Sequence, residues 1–474
     1  MKYDYDVVVV GSGPNGLCAA IALAQQGQSV LVLEAQATAG GGLGSAELTL
    51  PGYLHDVCSA VHPLGILSPY MRTLPLAEHG LEFVFPTFSA AHPLPDGQVA
   101  LLMRSVQATS DLLGIDGPAY RRLVQPLLRE PESLIADLLG PFRIPTRPIG
   151  FTRFGFHGMR SAVGLAHSAF KRPVARALLA GCAAHAILPL ENYFSGAVGL
   201  MFLLAGHMTD WPMARGGSVA IANALVRYLE TLGGQVRTGV EVQSLAQLPA
   251  ARAYAFDLAP SQLSSIAGDA LPDSYRRRLA RYNYGPAVFK IDYALDGPIP
   301  WRAAACGRAS TVHVGGTLEE IAASERTTFA GSVCDAPFVM VCQQSQFDAS
   351  RAPVGKQTGY MYCHVPFGCT VDMTDRIERQ VERFAPGFRD RVLARRVRTP
   401  ADLQRENPSY VGGTITGGAA DITQLFTRPV ARIDPYSTPN PRLFLCGAST
   451  PPGGGVHGMC GYFAAQSILR RLAG

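Results

Sequence analysis

The chain has 474 residues, 47% of them hydrophobic and 16% charged, with a formal net charge of +5 and a pI near 8.7. That length buries a large core and holds about two or three domains' worth of structure. A scattered excess of positive charge, densest at Arg276-Arg277-Arg278 and Arg395-Arg396, suits solvated helix faces and does not point to nucleic acid.

Ten cysteines without a CxxC pair argue against dithiol chemistry and against a zinc site of ordinary spacing, so no metal is expected. The first strand starts almost at once, which leaves no room for a signal peptide. The longest apolar run, Ala197 to Gly206, is far shorter than the ~20 residues that span a bilayer. A cytoplasmic chain is expected, in solution or resting on a membrane surface.

Val7 to Val10 form a continuous apolar run, the pattern of a parallel strand buried on both faces. Gly11-Ser12-Gly13-Pro14-Asn15-Gly16 follows as a G-x-G-x-x-G. Leu17, Ile21 and Ala24 then recur at helical spacing, Gly27 stops the helix, and a second strand from Ser29 to Leu33 ends at Glu34. Gly11 permits the turn, Gly13 lets a pyrophosphate approach the backbone, and Gly16 allows close helix–strand packing. The helix N-terminus offers free N–H groups to phosphate, and Glu34 stands where an acid accepts ribose hydroxyls. The whole unit predicts dinucleotide binding.

A second glycine cluster, Gly40-Gly41-Gly42, reads as backbone close to the same pyrophosphate. Residues 45–65, with His55, Asp56 and His62, look like a loop returning over the cofactor. Leu81 to Leu102 suggests strands and turns of a second, substrate-facing layer. Residues 105–204 are helical in pattern, and Val174 to Ile187 and Phe194 to Leu204 are apolar nearly all round. They suit either buried core helices or a cap lining an apolar cavity.

Ser218 is placed to cap a helix that ends at Gly233-Gly234, before a strand around Val236, Val240 and Val242 that returns to the first sheet. No second strand–GxGxxG–helix occurs. Residues 275–429 mix strands (Val288 to Tyr293, Phe338 to Cys342, Tyr360 to Val365) with helices such as Asp375 to Phe384. Last, the strand Leu443 to Cys446 leads through a loop rich in glycine, Gly447 to Gly458, into a helix from Cys460 to Leu472. A helix N-terminus aimed at a flavin ring would stabilise the negative charge the ring gains on reduction, a use that distinguishes FAD from NAD.

GSGPNG, Glu34, GGG and the ending LFLCGASTPPGGGVHGMCGYFAAQSI resemble the phytoene desaturase-type FAD-dependent oxidoreductases. The likeness is strongest to the bacterial pyridine nucleotide-disulphide oxidoreductase domain-containing protein 2-like branch. LTLPGYLHDVCSAVHPLG, YGPAVFKIDYAL, TVHVGGTLEEI, YCHVPFG and NPSYVGG extend it over nearly the whole chain.

The resemblance implies an α/β fold: a discontinuous Rossmann-type FAD-binding domain (glutathione reductase-like) with a second α+β substrate domain and a helical cap. The FAD domain would comprise residues 1–104, 205–274 and 430–474, the cap and first part of the substrate domain 105–204, and its second part 275–429. It also implies FAD contacts at Gly11, Gly13, Pro14, Asn15, Gly16, Glu34, Ala35, Gly41, Gly42, Leu43 and Val242. Gly447, Gly454, Gly455, Val456 and His457 would lie along the ribityl chain and ring. Many relatives carry an arginine just after the GG cluster, where this chain has Leu43-Gly44, so the resemblance does not extend to that pyrophosphate contact.

The expected chemistry is hydride transfer between a hydrophobic, unsaturated small molecule (polyene, isoprenoid or acyl-type) and flavin N5, with oxygen or a quinone as electron acceptor. His457, His62 and His364 are the candidate acids or bases; each could equally be a histidine satisfying a packed loop. Asp56 suits a turn brace, and Tyr360 and Tyr362 suit core. Double-bond isomerisation, amine oxidation and a non-catalytic flavoprotein scaffold stay open, although only Lys290 and Lys356 are available as the lysine that amine oxidation often uses.

Overall fold

A computed structural model describes residues 3–473. The valine run forms the strand Tyr5–Val10, the centre of a five-stranded parallel sheet. On one side it pairs with Ala251–Phe256 and, beyond that, Leu443–Leu445. On the other it pairs with Val30–Leu33 and then Gln235–Arg237. Val7, Val8 and Val9 are fully buried because helices cover both faces of the sheet.

The first helix, Pro14–Ala24, begins with proline and has no side-chain cap at Gly13, so its leading N–H groups face the end of the sheet. It packs on the last helix, Met459–Ala473, and on Val219–Thr231. The approach is closest at Gly461, where a Cβ would lie 1.8 Å from the Asn15 carbonyl oxygen. Only glycine fits there, and this contact ties the two ends of the chain together.

The second sheet has seven strands in the order Val392–Arg398, Ala287–Leu295, Gln357–Val365, Val339–Cys342, Ala309–Val314, Phe88–Pro93 and Val99–Leu102. All neighbours are antiparallel except Ala309–Val314 with Phe88–Pro93. The nine residues of Ala287–Leu295 are all buried, since the strand is paired on both sides.

Three expectations change. Residues 88–102 belong to this second sheet, so the first part of the dinucleotide domain ends before Phe88 and not at residue 104; Ala90 and Ala91 pair with Thr311 and Val312. The strand near Val236 stops at Arg237, leaving Val242 in a buried loop. Ser218 does not cap its helix through its side chain; its Oγ donates instead to Asp56 Oδ1 and the Gly44 carbonyl.

The helices between residues 106 and 209 form a third layer. Pro173–Ala183 packs deep in the core, while Ser195–Thr209 shows one face to a cavity, so both readings of the apolar segments hold. Among the described residues no helix is long and apolar enough to cross a membrane.

Candidate functional site

One cavity of about 1030 Å³ runs between the layers. Its first end is polar and is built by the parallel sheet. Gly11, Ser12, Gly13, Pro14 and Asn15 line it, with Glu34, Ala35, Gly41, Gly42 and Val242. The two glycine clusters touch, since a Cβ on Gly41 would stand 3.1 Å from Gly13 Cα. Gly11 has a φ of +97°, which only glycine adopts without strain.

Glu34 is buried, and its Oε2 accepts from Ser12 N–H at 2.9 Å and Ser12 Oγ at 2.5 Å. A carboxylate has further lone pairs, so ribose hydroxyls can still be received here. Bare backbone, free N–H groups and one buried acid suit a dinucleotide.

Farther along, Gly447, Gly454, Gly455, Val456 and His457 form the wall ahead of the last helix. Beyond them the lining turns apolar: Phe154, Met201, Phe202, Trp211, Met340 and Tyr362. The helical layer thus closes over the far end.

Two of the expected cofactor residues do not line the cavity. Gly16 is spent on packing: a Cβ would lie 2.1 Å from the Gly11 carbonyl oxygen, and its N–H donates to Asp257. Leu43 is fully buried and belongs to the core between helix and sheet.

The three candidate histidines separate. His457 is buried beside the glycine loop, and its Nδ1 accepts the Met459 N–H at 3.0 Å. Burial lowers its pKa to about 4, so the ring is neutral and offers only Nε2–H. It caps the last helix and is not a free base. His62 also lines the cavity; Ser59 Oγ lies 3.3 Å from Nδ1, Nε2 has no partner, and burial again lowers the pKa to about 4. His364 is absent from the lining; its Nδ1 is held 2.8 Å from Glu325 behind Tyr362, a pairing between strand and helix that sequence spacing does not reveal.

Asp56 is a brace, and a charged one. Arg351 meets it at 3.0 Å and Asp348 at 3.2 Å, all three buried. Burial pushes the Asp56 carboxyl upward, but the Arg351 guanidinium and the hydrogen bonds from Ser218 and Ser45 outweigh it and hold the pKa below the usual range. Lys290 lies between Asp292 at 2.5 Å and the Asp56 carbonyl at 3.1 Å, with Nζ 4.0 Å from the Tyr360 ring centre. Burial takes its pKa down to about 8 against the pull of Asp292. The ammonium is committed to this network, which fastens Asp56 to the second sheet; the stretch expected as a loop is here a strand, Leu54–Asp56, paired antiparallel with Ser45–Glu47.

Four further residues line the cavity, of which only Tyr410, within NPSYVGG, lies in a stretch that the resemblance covers. Asp257, at the end of its strand, reaches under Gly13; burial raises its pKa to about 7, the Gly16 N–H opposes this, and Glu34 adds to it. Arg428 is buried against the Ser449 and Ala448 carbonyls and Tyr282, beside the C-terminal glycine loop. Tyr410 holds its hydroxyl where a Gly42 Cβ would come within 2.5 Å. His185 stands in the apolar wall against Phe202.

Comparison with known proteins agrees with this geometry. Residues 9–73 match the NAD(P)-binding Rossmann-like domain family. Over the full chain, pyridine nucleotide-disulfide oxidoreductase domain-containing protein 2 of Mus musculus is 26% identical in a 565-residue alignment that covers 94% of that protein. A limonene dehydrogenase polypeptide of Castellaniella defragrans is 22% identical, with 98% of this chain and 95% of the relative covered.

Among solved structures, an oxidoreductase from Methanosarcina mazei superposes with a TM-score of 0.66 at 16% identity, covering 98% of this chain and 99% of that one. Wild-type putrescine oxidase bound to putrescine gives 0.61 at 17%, covering 99% of each. The chain therefore has an α/β fold with a Rossmann-like parallel sheet, the fold of these solved structures.

Proposed function

We propose that the chain is an FAD-dependent oxidoreductase of the phytoene desaturase type, moving hydride between an apolar, unsaturated substrate and the flavin. The observation that carries this reading is the polarity of one continuous cavity: a dinucleotide cradle at one end and an aromatic, aliphatic chamber at the other. The Castellaniella relative, named for dehydrogenation of limonene, supports an apolar substrate for this chain too.

Gly11, Gly13, Asn15, Glu34, Gly41 and Gly42 would hold the adenosine and pyrophosphate. Gly447, Gly454, Gly455 and Val456 would flank the ribityl chain and ring, with Val242 near the adenine. When bound, FAD supplies the two-electron acceptor. The protein supplies position, a last-helix N-terminus toward the ring, and walls that exclude water, the main resources for transfer from an unactivated C–H. His62, with its orphaned Nε2, is placed to hold a polar substituent. Oxygen or a quinone would take the electrons onward.

At the cavity mouth Phe142 and Phe426 line the opening and stay exposed, with Ile144 beside them 90% exposed. Apolar side chains left in water at an entrance suit contact with a membrane surface from which an apolar substrate is drawn.

Purified protein should carry a flavin absorbing near ~450 nm. Under anaerobic conditions limonene or a longer polyene should bleach it, whereas putrescine should not. A colourless protein that refuses FAD, or bleaching by the amine alone, defeats this reading.

A further inference from the structure

Three histidines, His185 half-buried and the other two fully buried, run outward from the apolar wall of the cavity. His185, in the turn after the Pro173–Ala183 helix, lines the cavity, and its Nε2 lies 3.0 Å from His313 Nε2. His313 and His92 lie on the paired strands Ala309–Val314 and Phe88–Pro93, with ring centres 6.1 Å apart. His92 Nε2 meets the Gly316 carbonyl oxygen at 2.6 Å. The remaining nitrogens, His313 Nδ1 and His92 Nδ1, are buried without a partner. Both face the same spot, where a Cβ on Gly181 would stand 2.5 and 2.8 Å from them. Glycine keeps that space open, and the polar nitrogens around it suit a bridging water.

The hydrogen bonds then set one another. A carbonyl can only accept, so His92 carries its proton on Nε2 and has a lone pair on Nδ1. A water bridging them that accepts from His313 Nδ1–H and donates to His92 Nδ1 satisfies both orphaned nitrogens and leaves His313 Nε2 bare. His313 Nε2 is then the acceptor from His185 Nε2–H. The chain ends on His185 Nδ1, whose lone pair is left for the cavity. Burial, the largest cause in each case, lowers the pKa of His92 to about 4 and of His185 to about 3 and holds His313 well below the ordinary histidine range, so the resting rings are neutral and tautomer decides what they offer.

We propose that His185 is the base of a desaturation in this cavity and that His313 and His92 are positioning residues that fix its tautomer and carry the proton away. This rests on the FAD reading above. As one substrate carbon gives up hydride to the flavin, the adjacent C–H bond breaks: its electron pair becomes the new π bond and its proton goes to His185 Nδ1. The Nε2 proton of His185 passes to His313 Nε2, and the Nδ1 proton of His313 to His92 Nδ1. The positive charge comes to rest on His92, where the Glu320 carboxylate favours it.

The test begins with long-range ¹H–¹⁵N spectra of the flavin-loaded protein labelled at histidine. His92 and His185 should be protonated on Nε2 and His313 on Nδ1. In His92→Phe the lone pair that orients the chain is gone, and His313 and His185 should both change tautomer. An Nδ1 proton on His185 in the wild type, or an unchanged tautomer in that variant, overturns the proposal; if the variant does not fold, the wild-type spectrum decides alone.

With limonene as the probe, His185→Phe should slow anaerobic flavin bleaching about a hundredfold, the lower range for a lost general base, while keeping the flavin. Unchanged bleaching overturns the catalytic role of His185. Failure of apolar probes to bleach even the wild type would sink the functional reading and with it the proposed base, whereas the tautomers report separately on the histidine chain itself.

Discussion

The carboxylate of Asp257 accepts the backbone N–H of Gly16 at 2.8 Å, bridging residues 241 apart in sequence. The end of one central strand thereby caps the helix that leaves its neighbour. Nothing cationic compensates this carboxyl, and its pKa rises to about 7 from 3.8 through burial, with Glu34 adding to the rise. Between those values the native state binds a proton that the unfolded chain has released, so stability falls as pH rises across that window. The full effect is roughly 4 kcal/mol, at ~1.4 kcal/mol for each pH step of one between the two values. The buried histidines act in the opposite sense, alike in parent and variant, so the Asp257 contribution is read as a difference: thermal melts of flavin-free Asp257→Asn, set against the parent, should gain relative stability from pH 4 to 7. A difference that stays flat with pH would refute the assignment.

Gly461→Ala should be severe for a methyl group. The new Cβ would overlap the Asn15 carbonyl oxygen, so the first and last helices must part. Overpacking typically costs ~1–3 kcal/mol, and a clash with backbone belongs at the top of that range. Melting temperature and the flavin retained on purification should fall together.

Arg351→Ala leaves Asp56 and Asp348 buried without their shared cation. Breaking one side of such a pair costs about 3–5 kcal/mol. Adding Asp56→Asn should recover part of the loss, because it removes one of the stranded charges. Denaturant unfolding of both variants checks the sign; a double variant no better than the single would mean the pair is not coupled.

Phe142→Ser with Ile144→Ser should weaken flotation with phosphatidylcholine vesicles at least tenfold, since each such side chain contributes about 1.5–3 kcal/mol when buried. Both are exposed at the mouth, so folding should be untouched. Equal flotation of variant and parent would remove the membrane from the proposal.

The dinucleotide end was readable because its signal is local: a four-valine strand, three spaced glycines and Glu34 lie within one βαβ unit. The last glycine loop was readable for the same reason. Phe88–Pro93 could be recognised as extended and as part of a second layer, but an apolar run does not name its partner, and only the pairing with Ala309–Val314 sets where the first sheet's segment stops. His364 and His185 exchange importance for a similar cause. Each is one histidine in an apolar stretch, and only packing turns one toward Glu325 and the other toward the cavity. Asp257 follows an alanine-rich strand with no motif, so its reach under Gly13 depends on the strand order of the finished sheet.

The contact between Asn15 and Gly461 also sets a timetable for synthesis. The Tyr5–Val10 strand leaves the ribosome early, but Ala251–Phe256 and Leu443–Leu445, which complete its side of the sheet, follow hundreds of residues later. Until then an apolar edge and the bare N-terminus of the first helix wait without their covers, a state that invites chaperones. The glycine loop from Gly447 to Gly458 takes its place in the cavity wall only once the last helix has docked, so the proposed flavin would be captured after that helix is made.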